Sequence, residues 1–148
     1  MSQLRFRNLA IAPTEPVATW PDEAMRTALE RGSLADFRRI ATAIGDDPWG
    51  PVARQVESVL AYTTPYGAAN LFRNIIERSR ARAARSEKQA VATQIADAVA
   101  SSGLSQREFA SRIGTSQPRL SSYLAGKVTP SASLLVRIAR VADRQPTL

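Results

Sequence analysis

The segment from residue 103 to residue 127 contains two short helical patterns with one glycine between them. Ser105 is a natural N-cap for the first helix, and Gly114 readily adopts positive φ at the point where that helix must stop. The apolar positions of the first pattern repeat at helical spacing: Phe109, Ala110 and Ile113. The pattern therefore predicts a short amphipathic helix that ends in a tight turn.

The second pattern begins at Ser116, which is another N-cap, and ends at Gly126. Its apolar positions are Leu120, Tyr123 and Leu124. Two helices that cross at a steep angle over a short turn need a small side chain at the crossing, and Ala110 supplies it. The segment is thus predicted to be a helix-turn-helix whose second helix can enter a DNA major groove.

The composition excludes several other classes of protein. The 148 residues suit one domain or two small ones, and they include no cysteine and no histidine. The usual metal ligands and the commonest general base are therefore missing, and we expect no metal, no cofactor and no enzymatic activity. The acidic pairs Asp22–Glu23 and Asp46–Asp47 fall at predicted helix starts, where they stabilise the helix dipole. With no long apolar run and no signal peptide, we expect a cytoplasmic protein without a membrane partner.

The positive charge is unevenly spread along the chain. Residues 1–70 carry seven basic and eight acidic side chains, a net charge of −1. Residues 71–88 carry six basic and two acidic side chains, and residues 89–148 carry seven basic and three acidic ones, a net charge of +4 in each segment. The helix-turn-helix and the segment before it therefore have the charge expected of a part that binds DNA.

The first 70 residues predict a small helical module. Residues 4–11 suit a short strand or an arm, and three helices are predicted after it: Pro21–Arg31, one from Ser33 to Gly45, and one that opens at Asp47–Pro48. We expect these helices to bury Phe37, Ile40, Val56, Val59 and Leu60. The aromatic side chains suit a protein interface at least as well as a core: Trp20, Phe37, Trp49, Tyr62 and Tyr66.

A long helix can follow, because no proline or glycine occurs from Ala68 to Ser101. Its apolar periodicity is weak across residues 78–88, which indicates a solvent-exposed linker. We therefore predict an all-α chain with three parts: a dimerisation or partner-binding module (1–70), a basic helical linker (71–88) and a DNA-binding domain (89–148). Thr129-Pro130-Ser131 is predicted to start the closing helix of the last part.

Residues 91–142 resemble the phage-repressor and Cro-like (XRE-type) helix-turn-helix family. The resemblance rests on Gly-Leu-Ser-Gln (103–106), Phe-Ala (109–110), Ile-Gly (113–114), Ser-Gln-Pro-Arg-Leu-Ser-Ser-Tyr-Leu (116–124), Gly-Lys (126–127) and a leucine-rich final helix after Pro130. It implies a five-helix lambda-repressor-like DNA-binding domain. It does not cover the first 90 residues.

The resemblance also implies which residues touch DNA. Base contacts fall on the outward face of the second motif helix: Gln117, Pro118, Arg119, Ser121 and Ser122. Gln117 can pair with adenine, Arg119 can take guanine or a phosphate, and Pro118 departs from the family pattern and offers only apolar contact. Backbone contacts are implied for Gln106, Ser116, Tyr123 and Lys127. Gln106 and Ser116 also serve as helix-start residues, Tyr123 is as compatible with the core, and Lys127 with an ordinary surface position.

The expected function is a sequence-specific transcriptional regulator, most simply a homodimeric repressor that reads a palindromic operator on double-stranded DNA. A narrower version is an autoregulating antitoxin that holds a toxin or another protein through residues 1–70. The alternative class is an adaptor or coactivator that keeps the fold without reading DNA. The basic carboxyl-terminal half and the polar 117–122 face favour the regulator.

Overall fold

The computed structural model describes residues 3–63, 65 and 67–144. These residues form an all-α fold, as predicted, with seven α-helices, one short 3-10 turn (Val17–Thr19) and no strand. The helices are α1 (Asp22–Arg31), α2 (Leu34–Asp46), α3 (Pro51–Tyr62), α4 (Ala68–Ser102), α5 (Gln106–Ile113), α6 (Gln117–Leu124) and α7 (Ala132–Asp143). No helix in the described part of the chain is long and apolar enough to cross a membrane.

The chain divides into two compact units, residues 1–83 and residues 84–148. The first unit packs α1, α2, α3 and the beginning of α4 around one apolar core. Most of the predicted core is buried there, although Phe37 is only partly buried and packs edge-on against Phe72. The largest fully buried side chains of this unit are Met25, Leu29, Ile40, Ile44, Val56, Val59 and Phe72.

Residues 4–11 form an arm, which settles the choice between a strand and an arm. Leu4 is 8% exposed and belongs to the core, and Phe6 packs edge-on against Trp20 at 5.2 Å between ring centroids. The arm is therefore held by side-chain packing, with no strand pairing in the described residues.

Two predicted helix boundaries in the first unit are wrong. α2 starts as predicted, with a capping box between Ser33 and Asp36, but it continues through Gly45 to Asp46. α3 begins at Pro51, because residues 47–50 form a turn in which the Gly50 N–H donates to the Asp47 carbonyl at 3.0 Å. The proline at the first position of α3 is therefore Pro51 rather than Pro48, and Asp47-Pro48 belongs to the preceding turn.

α4 runs as the one long helix that the absence of proline and glycine allows. The first unit ends at Ala83, so it includes much of the segment 71–88 that sequence analysis assigns to a linker. Phe72 and Ile76 lie in its core, and Arg80 donates from Nε to the Pro48 carbonyl at 2.9 Å and pairs with Glu57. The break predicted at residues 64–67 separates α3 from α4, although Thr64 and Tyr66 lie outside the described residues.

The second unit has its own core, formed by the end of α4 with α5, α6 and α7. Its buried side chains are Ile95, Phe109, Ala110, Ile113, Leu120, Tyr123, Leu134 and Ile138. The resemblance implies five helices, and the described residues 84–144 contain four helical segments.

Candidate nucleic-acid interface

α5 begins and ends where its local sequence predicts. The Ser105 hydroxyl oxygen accepts the Glu108 N–H at 3.2 Å, which satisfies one of the unpaired amides of the first turn. At the other end Gly114 has φ 78°, in the left-handed region, and the Thr115 N–H donates to the Ala110 carbonyl at 2.9 Å. This turn changes the direction of the chain within a few residues, and α6 starts directly after it.

α6 uses the same two devices. The Ser116 hydroxyl accepts the Arg119 N–H at 3.3 Å, and Pro118 stands in the first turn, where a missing amide costs no helical hydrogen bond. Past the end of the helix Gly126 has φ 72°, and the Lys127 N–H donates to the Ser122 carbonyl at 3.1 Å. Neighbouring residues thus cap both ends of these two short helices.

The two faces of α6 differ sharply in burial. Leu120 is 0% exposed and Tyr123 is 4% exposed, so one face packs into the core of the second unit. Four of the five predicted base-contact residues are exposed on the rest of the helix: Gln117, Pro118, Arg119 and Ser121. Their side chains form no hydrogen bond with another described residue, which leaves the polar groups of this face available to a ligand.

Ser122 is the fifth predicted base-contact residue, and its environment differs. It is half-buried, and its hydroxyl donates to the Pro118 carbonyl at 3.2 Å within the helix. A serine that bonds back to the preceding turn can still accept a hydrogen bond, but its donor is in use. Of the five positions, Ser122 is therefore the least free to read a base.

The predicted backbone-contact residues fall into two groups. Gln106, Ser116 and Lys127 are exposed, at the first position of α5, the N-cap of α6 and the loop after it. Tyr123 belongs to the core, which agrees with the structural alternative considered for it from the sequence. Little of this side chain is left to reach a phosphate.

Arg137 is a residue that sequence reasoning missed. Its Nη1 donates to the Ile113 carbonyl at 3.3 Å, so a side chain of α7 completes the last turn of α5. With Arg119 it lines a cleft of about 270 Å³ that also includes Thr115, Thr129 and Ser131. Arg137 lies on the exposed side of α7, but no sequence signal indicates that it reaches the turn of the motif.

The second unit is strongly basic at its surface. Residues 84–144 carry nine basic and four acidic side chains, a net charge of +5, and all nine basic residues are exposed. Among the described residues the ion pairs are Arg26–Glu30 and Arg80–Glu57, both in the first unit. The positive charge around α5 and α6 is therefore not neutralised by partners within the unit, which favours attraction to a polyanion.

Comparison with known proteins agrees with this geometry. A helix-turn-helix family model matches residues 95–148, which comprise the end of α4 and all of α5, α6 and α7. No curated protein and no solved structure matches the chain. The second unit is therefore a DNA-binding helix-turn-helix domain. Within that class it is of the XRE type, and the chain that carries it is a DNA-binding transcriptional regulator.

Proposed function

We propose that the protein is a homodimeric repressor that reads a palindromic operator through α6. The observation that carries the proposal is the exposed polar face of a helix whose two ends are fixed. Gln117, Arg119 and Ser121 have no structural partner there, while the opposite face is anchored by Leu120. A rigid helix that presents unpaired donors and acceptors suits base reading, because little conformational freedom is lost on binding.

Roles within the interface follow from position. Gln117 carries an amide that can pair bidentately with adenine, and Arg119 can take guanine or a phosphate. Lys127 and Gln106, which are both exposed, would contact phosphates, with Arg137 as a further cation beside the turn. Pro118 offers an apolar surface that suits a thymine methyl group.

Dimerisation is proposed through the first unit. Four of the six large apolar side chains that are exposed in the described chain lie there: Leu34, Trp49, Tyr62 and Leu71. Two domains in one dimer would place their recognition helices one DNA turn apart, about 34 Å, and paired half-sites raise both affinity and specificity.

Binding to DNA upstream of the protein's own gene is the primary test. Footprinting should show a protected near-palindrome, with a log-log salt slope near −6 if each protomer neutralises roughly three or four phosphates. Protection by a monomer, or only weak sequence-blind binding, would contradict the proposal. The second result would favour the adaptor or coactivator that keeps the fold without reading DNA.

Two substitutions separate base reading from phosphate contact. Gln117→Ala should cost about 1–3 kcal/mol at the operator and relax specificity at one base pair. Lys127→Ala should weaken binding to all sequences alike and reduce the salt slope by about one. Equal losses at cognate and random DNA for both variants would mean that α6 is not the reading helix.

Sedimentation of the full chain tests the dimer interface. The double variant Tyr62→Ser/Leu71→Ser should raise the dimer dissociation constant, because it removes apolar area from the first unit. Val128→Ser/Val136→Ser is the matched control in the second unit, where both side chains are about as exposed. Dissociation in the control alone would place the interface in the DNA-binding unit.

An autoregulating antitoxin is the narrower form of this proposal. The same exposed apolar side chains of the first unit would then hold a toxin, encoded by the neighbouring gene. Co-expression tests this form: the neighbouring product should co-purify with the wild type and be lost from Tyr62→Ser/Leu71→Ser. If the protein encoded by the neighbouring gene neither binds this chain nor inhibits cell growth, the antitoxin form is contradicted and the repressor proposal stands without it.

A further inference from the structure

The first unit carries a polar cleft that DNA reading by α6 does not use. It has a volume of about 310 Å³ and lies between the arm and α1; we name it the arm cleft. The arm contributes Arg5, Arg7, Asn8 and Leu9, and α1 contributes Glu23, Arg26, Thr27, Glu30 and Arg31. Four of these nine residues are arginines, which is unusual for a cleft in a unit whose basic and acidic residues nearly balance.

The arm presents its arginines because of its alternating pattern. Leu4 is buried in the core and Phe6 packs against Trp20. Side chains that alternate along an extended segment point to opposite sides. Arg5 and Arg7 are accordingly exposed, and both line the cleft.

The helical wall of the cleft is the polar face of α1. Glu23, Arg26, Thr27 and Glu30 follow one another at intervals of three, one and three residues, so they share one side of the helix. The opposite side is buried in the core through Ala24, Met25, Ala28 and Leu29. Core packing on one side thus fixes the direction of the charged side.

Three of the four arginines of the cleft lack a side-chain partner among the described residues. Arg26 pairs with Glu30 at 3.2 Å. Arg5, Arg7 and Arg31 form no ion pair or side-chain hydrogen bond with any residue in the described ranges, in contrast to Arg39, which donates to the Pro13 and Glu15 carbonyls. Four arginines and two glutamates leave the cleft with a net charge of +2.

We propose that the arm cleft is a second binding site, specific for a phosphate group. Guanidinium groups match phosphate oxygens in bidentate geometry, and a net charge of +2 complements a phosphate dianion. The volume is at the small end of ligand sites, which suits a phosphoryl or pyrophosphoryl group and little more. Such a group could belong to a free nucleotide or to the backbone of DNA, and the chemistry at the cleft is the same.

Calorimetric titration of the full chain with pyrophosphate tests the site. The wild type should bind, and Arg5→Gln/Arg7→Gln should weaken binding about tenfold or more, because two charge-assisted contacts are lost. Arg38→Gln is the matched control, an exposed arginine of α2 that does not line the cleft. Absence of pyrophosphate binding, or an equal loss in the control, would overturn the proposal.

A variant that is expected to strengthen pyrophosphate binding controls for loss of binding through misfolding. Glu23→Gln removes a negative charge from the lining and should strengthen pyrophosphate binding severalfold, which an unfolded arm could not do. Unchanged or weaker binding in Glu23→Gln would contradict the site. Gln117→Ala should leave pyrophosphate binding unchanged, so that failure of this site and failure of operator reading are distinguishable.

The source of the phosphate is decided by comparing two further probes, ADP and a random-sequence DNA duplex. If Arg5→Gln/Arg7→Gln loses ADP binding but keeps duplex affinity, the site takes a soluble phosphate compound. If the same variant also loses duplex affinity and reduces the salt slope, the site takes the DNA backbone. Loss of neither would overturn the proposal.

Discussion

Arginines that hold the structure together are commoner in the first unit of this chain than in the second. In the first unit Arg39 holds the connector before α1, with Nη2 donating to the Glu15 carbonyl at 2.8 Å and the guanidinium 5.3 Å from the Trp20 ring centroid. Arg80 similarly ties α4 to the Pro48 turn. In the second unit Arg107, Arg112 and Arg119 are exposed, and their side chains form no hydrogen bond or ion pair within the described chain. Charge alone therefore does not identify an arginine that is available to a ligand; the absence of an internal partner is the better sign.

The two units also differ in how their helices begin. In the second unit α5, α6 and α7 each start with a serine whose hydroxyl accepts a backbone N–H, at Ser105, Ser116 and Ser131. In the first unit only α2 among the first three helices has such a cap, and α1 and α3 start at or next to a proline. The second unit is thus specified more by local signals, and the first more by packing.

The largest effect on stability is expected from a cavity in the core of one unit. Phe109→Ala should lower the free energy of unfolding of the second unit by about 3–5 kcal/mol, because Phe109 is fully buried. Both tryptophans, Trp20 and Trp49, lie in the first unit, so their fluorescence reports that unit alone. Far-UV circular dichroism should show an early transition in Phe109→Ala that tryptophan fluorescence does not follow.

Phe72→Ala is the reciprocal variant, since Phe72 is equally buried in the core of the first unit. Its tryptophan transition should move to lower temperature, by a free energy of the same order, about 3–5 kcal/mol. Coincident transitions by both probes in both variants would show that the two cores unfold together.

A smaller effect should distinguish structural from free arginines. Arg39→Gln should cost about 2 kcal/mol of stability, because it removes charge-assisted bonds to two carbonyls and the contact with Trp20. Arg119→Gln should leave stability within about 0.5 kcal/mol and instead weaken operator binding. Chemical denaturation and operator titration of both variants measure this difference. If instead Arg119→Gln lost stability and Arg39→Gln did not, the internal partners of an arginine would not indicate whether its role is structural.

Gly114→Ala should cost about 1 kcal/mol, because alanine is strained at φ 78°. A Cβ there would lie 3.4 Å from Arg137 Nη1, an ordinary contact, so backbone conformation rather than a clash causes the loss. The thermal midpoint of the second unit should fall, followed by circular dichroism. A rise would show that the turn can take another backbone conformation.

The smallest effect has the opposite sign. Gly45 lies inside α2, and a Cβ added there would meet nothing within 4 Å. Gly45→Ala should therefore stabilise the first unit by about 0.5 kcal/mol, through better helix propensity and a less flexible unfolded chain. The midpoint of tryptophan fluorescence should rise slightly. A fall would point to a requirement for glycine at this position that the helix does not reveal.

The second unit could be predicted closely from its sequence. Serine caps and left-handed glycines form hydrogen bonds with residues only three to five positions away. The limits of α5 and α6 can therefore be predicted from neighbouring residues in the sequence. The face of α6 predicted for base contact is largely exposed, although its roles in binding remain predictions. Ser122 and Tyr123 are less available than their place in the motif suggests, because their burial depends on what packs against the helix.

The contacts between distant parts of each unit were less predictable, and they share a cause. The sequence alone determined that the chain is helical, where proline and glycine permit long helices, and that a helix-turn-helix lies near its end. Only the tertiary structure decided that the arm packs on the core, that Arg80 holds the Pro48 turn and that Arg137 completes α5. Those contacts join residues 24 or more positions apart, or bury a segment with no regular period. Sequence spacing carries information about neighbours along a helix, whereas the meeting of distant elements depends on how their apolar faces pack.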